Sequence, residues 1–295
     1  MKDDPNFGRL SPTAVAAALQ VKNAVVIHDE FKQIMDGGRA AVELADSIKV
    51  AGGIIALAEP GMGKTLLIKL IEKILMESIS EGESNRPILR IELDSNVDVY
   101  SIATKMTYAV GFPMLPTRSS LINMNGMIER ALGNLRPRAL LIDESQHMCE
   151  GNRSITARSI TDWLKVLMDK FNMPVLCFGT KTFELIGAIN PQFTSRLSQQ
   201  YEIKAFNNDE KWRQFEAAFM QQITIVGANI LGTNEISRKC HAASRGNMRR
   251  YKKLMMNSCI SAVTRGVSVL EEVDLWRGYQ AAFAGVPEAN PFKSK

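Results

Sequence analysis

The residues best suited to do chemistry are Ala58-Glu59-Pro60-Gly61-Met62-Gly63-Lys64-Thr65, which follow an apolar run and open a helical pattern. Such a segment suits phosphate. Glycines let the backbone curl so that its N–H groups face the anion, and the following helix presents its positive end. Lys64 can then reach the β- and γ-phosphates while Thr65 binds Mg²⁺. One position departs from the G-x-x-x-x-G-K-[ST] pattern, because Ala58 stands where glycine is usual. A second signal is Leu140-Leu141-Ile142-Asp143-Glu144, an apolar run ending in two acids. At the edge of a parallel sheet, Asp143 would hold a hydrated Mg²⁺ and Glu144 would polarise an attacking water. Thr180 ends a further apolar run and offers a hydroxyl to orient phosphate or water. Arg196, in Asn190-Pro191-Gln192-Phe193-Thr194-Ser195-Arg196-Leu197, is open to two readings: a surface cation, or an arginine that neutralises charge in a transition state.

Positioning these groups requires strands and helices in alternation. Short apolar runs at Gly53–Leu57, Ile88–Leu93, Ala139–Ile142 and Val175–Phe178 read as buried strands, with Tyr201–Ile203 as the last. Helical patterns at Thr65–Met76, Val99–Val110, Leu121–Leu132 and Ile160–Phe171 separate them. That alternation predicts an α/β fold, a parallel sheet sandwiched by helices. Before it, Ser11-Pro12-Thr13 opens one helix, and a second runs through Phe31, Ile34 and Met35 to Gly37-Gly38. After Ile203 the strand pattern stops, and Asp209-Glu210 opens a helix with Trp212, Phe215 and Phe219 on one side. The expected division is an N-terminal helical arm over 1–48, an α/β domain over 49–205, a small helical lid over 206–285 and a loose tail over 286–295.

The chain has 295 residues, 45% apolar and 23% charged, which excludes a disordered or disulfide-stapled chain and allows a sizeable core. Cys149, Cys177, Cys240 and Cys259 form no C-x2-C pair, and three histidines cannot build a histidine-rich metal centre. The longest apolar run, Val50–Ala58, is too short for a membrane span, and Met-Lys-Asp-Asp-Pro carries no apolar signal, so no membrane and a cytoplasmic location are expected. Between Ile236 and Leu270 lie eight cations (Arg238, Lys239, Arg245, Arg249, Arg250, Lys252, Lys253, Arg265) and no acid, +8 against +5 for the whole chain, so the remainder carries −3. Such a segment is either a solvated helix face or a surface for a polyanion.

The order of these elements resembles the AAA+ ATPases over roughly Val25 to Gly278. The resemblance implies Walker A roles for Lys64 and Thr65, Walker B roles for Asp143 and Glu144, a sensor 1 role for Thr180 and an arginine finger at Arg196. Gly246-Asn247-Met248-Arg249 is similar to the sensor 2 motif, which would aim Arg249 at the γ-phosphate. Nucleotide contacts would then come from Ile27, Glu59, Pro60, Gly61, Met62, Gly63, Lys64, Thr65, Leu66, Asp143 and Arg249, with ATP and Mg²⁺ as cofactors. Because a finger of this kind serves the neighbouring subunit, a ring or helical filament is implied.

Ile27-His28-Asp29-Glu30-Phe31, Ile142-Asp143-Glu144-Ser145-Gln146-His147 and Gln192-Phe193-Thr194-Ser195-Arg196-Leu197 narrow the likeness to the TniB, MuB and TnsC group of transposition regulators. That resemblance implies assembly on double-stranded DNA with ATP, without sequence preference, and recruitment of a transposase and target-selection proteins. The duplex would be tracked by the loops around the helix after the second strand, at Asn96, Thr117, Arg118 and Ser119. Alone, these residues read equally as an ordinary polar turn. Hydroxyls and an arginine there suit phosphate contacts, which position without reading sequence. Replication-initiator or clamp-loader ATPases, and nucleotide switches without DNA, are the alternatives. The basic lid is expected to serve ATP and assembly before DNA.

Overall fold

The computed structural model describes residues 10–77, 86–112, 119–150, 154–197, 199–285 and 289–292. In chain order the elements begin with α1 (Pro12–Asn23), α2 (Asp29–Ile48), β1 (Gly53–Ala58), α3 (Lys64–Glu77) and β2 (Ile88–Glu92). Then come α4 (Val99–Ala109), α5 (Leu121–Leu135), β3 (Ala139–Asp143), α6 (Ser154–Phe171) and β4 (Val175–Gly179). Two short helices, α7 (Ile186–Ile189) and α8 (Pro191–Thr194), precede β5 (Gln199–Ile203). Four helices follow: α9 (Glu210–Met220), α10 (Asn234–Ser244), α11 (Met248–Thr264) and α12 (Glu272–Ala282). The expected strands and helices are all present, with ends moved by a few residues.

By its contacts the chain forms two units, one of Asp29–Lys204 and one joining the residues up to His28 with those from Ala205 onward. The stretch expected as a single N-terminal arm is therefore shared between them. In the first unit, five parallel strands lie in the order β2-β3-β4-β1-β5. β1, β3 and β4 are buried throughout, as strands covered on both faces must be. Register places the ends of β1, β3 and β4 at one edge: Leu57 pairs with Gly179, and Ile142 with Cys177. Asp143 and Glu144 continue the chain there. Helix α2 corrects one expectation, because it runs through Gly37-Gly38 instead of ending at them. A Cβ at Gly37 would lie 2.2 Å from the Tyr201 hydroxyl, and one at Gly38 3.0 Å from Leu176 Cδ2. These glycines let a helix pack closely on β5 and β4, a use of glycine that outweighs its low helix propensity.

The second unit is helical. Ser11 caps α1 by accepting from the Ala14 N–H, and Asp209 caps α9 by accepting from the N–H groups of Lys211 and Trp212. Trp212, Phe215 and Phe219 do share one side, and Tyr251 of α11 meets all three with ring centroids 5.0–5.7 Å away. Met248, Tyr251 and Met255 of α11 are buried as their spacing predicts. Of the tail expected over 286–295, residues 286–288 and 293–295 lie outside the described residues; within 289–292, Phe292 is buried against Tyr279, and the Asn290 side chain donates to the Trp276 carbonyl at 3.0 Å. An aromatic ring that finds an apolar partner docks its segment, whatever the polarity of its neighbours. Among the described residues, no helix is long and apolar enough to cross a membrane.

Candidate phosphate-binding site

The site begins where β1 ends. Glu59 is tied to β5 by its N–H, which donates to the Ile203 carbonyl at 3.1 Å, and the Met62 N–H closes a turn onto the Glu59 carbonyl at 3.1 Å. Gly61 and Gly63 have φ of 86° and 81°, values that strain other residues. Ala58 does not share this need. As the last residue of β1 it pairs with Ile203, and its φ is not positive, so the missing glycine costs the loop nothing. Met62 is fully buried and pins the loop to the core, while α3 starts at Lys64. Its first N–H groups and the positive end of its dipole therefore open beside the loop. Thr65 is exposed on the first turn, with Leu66 partly covered next to it.

Three charged groups converge at this edge. Lys64 Nζ lies 2.7 Å from Glu144 Oε1 and 3.2 Å from Asp143 Oδ1. Asp143 is almost wholly buried and also meets Arg90 of β2 at 3.4 Å, whose other nitrogen faces Glu72 at 3.7 Å. Its Oδ1 further accepts from the Glu144 N–H at 2.8 Å. Glu144 sits in the left-handed region with φ of 55°, which costs on the order of 1 kcal/mol for a residue with a Cβ. Partial burial works against its charge, but hydrogen bonds from Lys64 and Gln146 and the nearby Lys64 charge hold its carboxyl below the usual carboxylate range. It is therefore ionised near neutrality. Gln146, in a 3-10 turn over Ser145–Met148, donates from Nε2 to Glu144 Oε2 and accepts the Thr180 N–H at 3.0 Å. His147 pairs with Glu150 at 2.6 Å, and all four cysteines are buried free thiols.

Arg196 stands elsewhere. It follows α8 and precedes β5, at the edge where the parallel strands begin, and its carbonyl lies 3.4 Å from where a Cβ on Gly52 would be. A strand of six residues, about 20 Å at 3.3 Å per residue, separates that edge from the phosphate loop. Asp169 of α6 holds the guanidinium through both oxygens, at 2.8 and 3.2 Å. Arg196 thus cannot serve its own loop. In the helical unit, Asn247 caps α11 by accepting from the Arg249 and Arg250 N–H groups, and Gly246 is required, since a Cβ would fall 1.9 Å from the Phe206 carbonyl oxygen. Arg249 is exposed, with no side-chain partner among the described residues. Ile27 is 41% exposed between α1 and α2, just after Val25, whose backbone is bonded on both sides by Gln222. Asn96 is exposed with φ of 69° before α4, and the Ser119 carbonyl accepts from the Tyr100 hydroxyl at 3.3 Å. Thr117 and Arg118 lie outside the described residues.

The family's sequence profile, described as the bacterial TniB protein, matches residues 22–208, well over half of the chain. The chain belongs to the TniB family. Among solved structures, this TniB-family chain is similar to the Aeropyrum pernix ORC2 protein in ADPNP–ADP complexes, with a TM-score of 0.64 and 15% identity over 89% of this chain and 69% of that one. It is similar also to Drosophila ORC bound to DNA, with a TM-score of 0.62 and 16% identity over 98% and 70%. The Thermotoga maritima RuvB Holliday junction branch migration motor gives a TM-score of 0.51 and 13% identity over 85% and 68%. Curated protein sequences contain no match. At such identities the likenesses establish the fold, which for this TniB-family chain is that of the AAA+ ATPases with a C-terminal helical region.

Of the residues the sequence singles out, the fold brings the loop and both acids to one edge, with Thr180 joined to them through Gln146, and leaves Arg196 at the other. Sequence reasoning gave no role to Gln146, Arg90 or Asp169. Arg90 leaves a signal, a cation inside the apolar run Ile88-Leu89-Arg90-Ile91, and Gln146 lies within a motif already noticed. Asp169 leaves none, because only the fold brings it to Arg196.

Proposed function

We propose that this TniB-family protein binds and hydrolyses ATP, assembles on duplex DNA with it, and marks that DNA for a transposase. The observation that carries the reading is the convergence of Lys64, Asp143 and Glu144 at the opening of α3, beside a glycine loop with positive φ. Backbone N–H groups and Lys64 would hold the phosphates, and Lys64 would exchange its carboxylate partners for them. The Thr65 hydroxyl and the Asp143 carboxylate are hard oxygen donors that suit Mg²⁺, which neutralises phosphate charge when bound. Among the described residues, no group of three or more histidines, cysteines or acids is placed to hold a metal ion. Glu144, ionised and partly exposed, would take the proton of the attacking water, and Thr180 would orient that water or the γ-phosphate.

Arg196 would act on a neighbouring subunit's nucleotide, and Arg249 and Ile27 of the helical unit would complete the nucleotide contacts. A ring or filament follows from the first of these roles. Asn96, Thr117, Arg118 and Ser119 would touch DNA phosphates, so affinity would fall steeply with salt. Family membership supports the transposition role. Similarity in fold to a chain described with ADPNP and ADP, and to another described as bound to DNA, supports nucleotide and duplex as ligands. The test is electron microscopy of the Glu144→Gln protein with ATP and generic duplex DNA. Persistent DNA-bound oligomers are expected; monomers alone would end this reading. Oligomers that form without DNA would favour a nucleotide switch.

A further inference from the structure

The carboxamide of Gln146 joins the two ends of the site. Its Nε2 donates to Glu144 Oε2, and its Oε1 accepts the Thr180 N–H at 3.0 Å. The Thr180 N–H fixes the amide's orientation, since a backbone N–H only donates and must face the amide oxygen, which leaves Nε2 turned to Glu144. The side chain is 6% exposed, so neither contact exchanges readily with water. Gly179 makes room for it: a Cβ there would lie 3.0 Å from Gln146 Oε1 and 3.1 Å from its backbone nitrogen. The turn carrying Gln146 is anchored independently, by the Ser145 hydroxyl on the Ile142 carbonyl at 3.0 Å and the Cys149 N–H on the Gln146 carbonyl at 2.8 Å.

Among the described residues, Glu144 has two side-chain partners, Lys64 and Gln146. Once phosphates draw Lys64 away, Gln146 is the one that stays. We propose that Gln146 is a positioning residue: it holds Glu144 in place for hydrolysis and couples its orientation to the end of β4 at Thr180. This rests on the ATPase reading above. The left-handed backbone of Glu144 fits the role, because a strained conformation persists only where surrounding contacts hold it.

The full chain provides the test through two variants, Gln146→Met, which removes both bonds, and Gln146→Glu, which keeps an acceptor for the Thr180 N–H but repels Glu144. For Gln146→Met, kcat for ATP should fall about tenfold with KM within about twofold, the effect of one lost charge-assisted bond made in the transition state. Adding Gln146→Met to Glu144→Gln should lower kcat no further. Independently of turnover, amide exchange at Thr180 should quicken about tenfold in Gln146→Met and stay protected in Gln146→Glu, and Glu144→Ala should loosen Thr180 only when Gln146 is present. Unchanged exchange at Thr180 in Gln146→Met, or a kcat loss that adds in full to that of Glu144→Gln, overturns the proposal. A wild-type protein that turns over no ATP overturns the ATPase reading instead, and the exchange experiment still decides the coupling. If Gln146→Met does not fold, Gln146→Glu with wild-type kcat overturns it equally.

Discussion

At the end of β3 one lysine meets two carboxylates within 3.2 Å, whereas the eight cations between Ile236 and Leu270 are mostly spent on the helical unit itself. Lys239 pairs with Glu235 and Glu272, both at 2.7 Å. Arg265 binds Glu271 and the fully buried Asp274. Lys252 donates to the carbonyls of Lys22 and Ala24, where α1 ends and cations are favoured. Arg250 stacks on Phe283 and donates to the Ala243 carbonyl, and Lys253 lies over the same ring at 5.9 Å. Arg238 and Arg249 are exposed, with no side-chain partner among the described residues. The difference teaches that net charge along a sequence measures neither function nor its face. What matters is whether a charge is already neutralised where the fold puts it, and by a group a ligand can displace.

That contrast breaks if mutations at the two regions have the same kind of effect. The largest difference is expected at Lys64. Lys64→Ala should lower ATP turnover by about 10²–10³-fold through lost phosphate and transition-state contacts, while thermal stability changes little. Equal loss of turnover from Arg265→Ala without unfolding would break the comparison. Arg265→Ala should instead destabilise the helical unit, because it strips the buried Asp274 of its cation; a lowered denaturant midpoint reads this directly.

Glu216 sharpens the same point from the acidic side. It is buried under Tyr251, Ser237 and Cys240, and burial pushes its carboxyl up from 4.5 to about 7 despite the hydrogen bonds it accepts. Between these values the unfolded chain releases the proton while the folded unit keeps it, so stability is lost as pH rises through that window. Glu216→Gln should therefore stabilise the protein at pH 8 by about 1–3 kcal/mol, with the gain vanishing toward pH 4.5. A Tm that does not rise at pH 8 would contradict this. The smallest effect is expected at Arg238, where alanine should change stability by no more than about 0.5 kcal/mol. A large fall in duplex affinity for Arg238→Ala would return the basic segment to DNA.

Local signals in the sequence suffice for the strands, the phosphate loop and the capped helices, because each depends on neighbours within a turn or two. Ser11, Asp209 and the glycines at 61 and 63 all act within five residues of themselves. What the sequence hides is contact between distant segments. Gly37-Gly38 resembles a helix end but answers to Tyr201 and Leu176 across the sheet. Phe292 reads as tail until Tyr279 is placed beside it. The pairing of Arg196 with Asp169, and of Arg90 with Asp143, likewise needs the fold. The +8 segment is the plainest case, since its acids lie just outside it, at Glu235, Glu271, Glu272 and Asp274.

The central claim is that Lys64 and the loop bind nucleotide while Glu144 does chemistry on it. Equilibrium binding of a fluorescent ATP analogue and single-turnover hydrolysis, measured side by side on Glu144→Gln, separate the two functions. The account predicts binding within about threefold of wild type and turnover lower by about 10²–10⁴-fold, as for loss of a general base. Turnover that survives the substitution, or binding that disappears with it, would contradict the account.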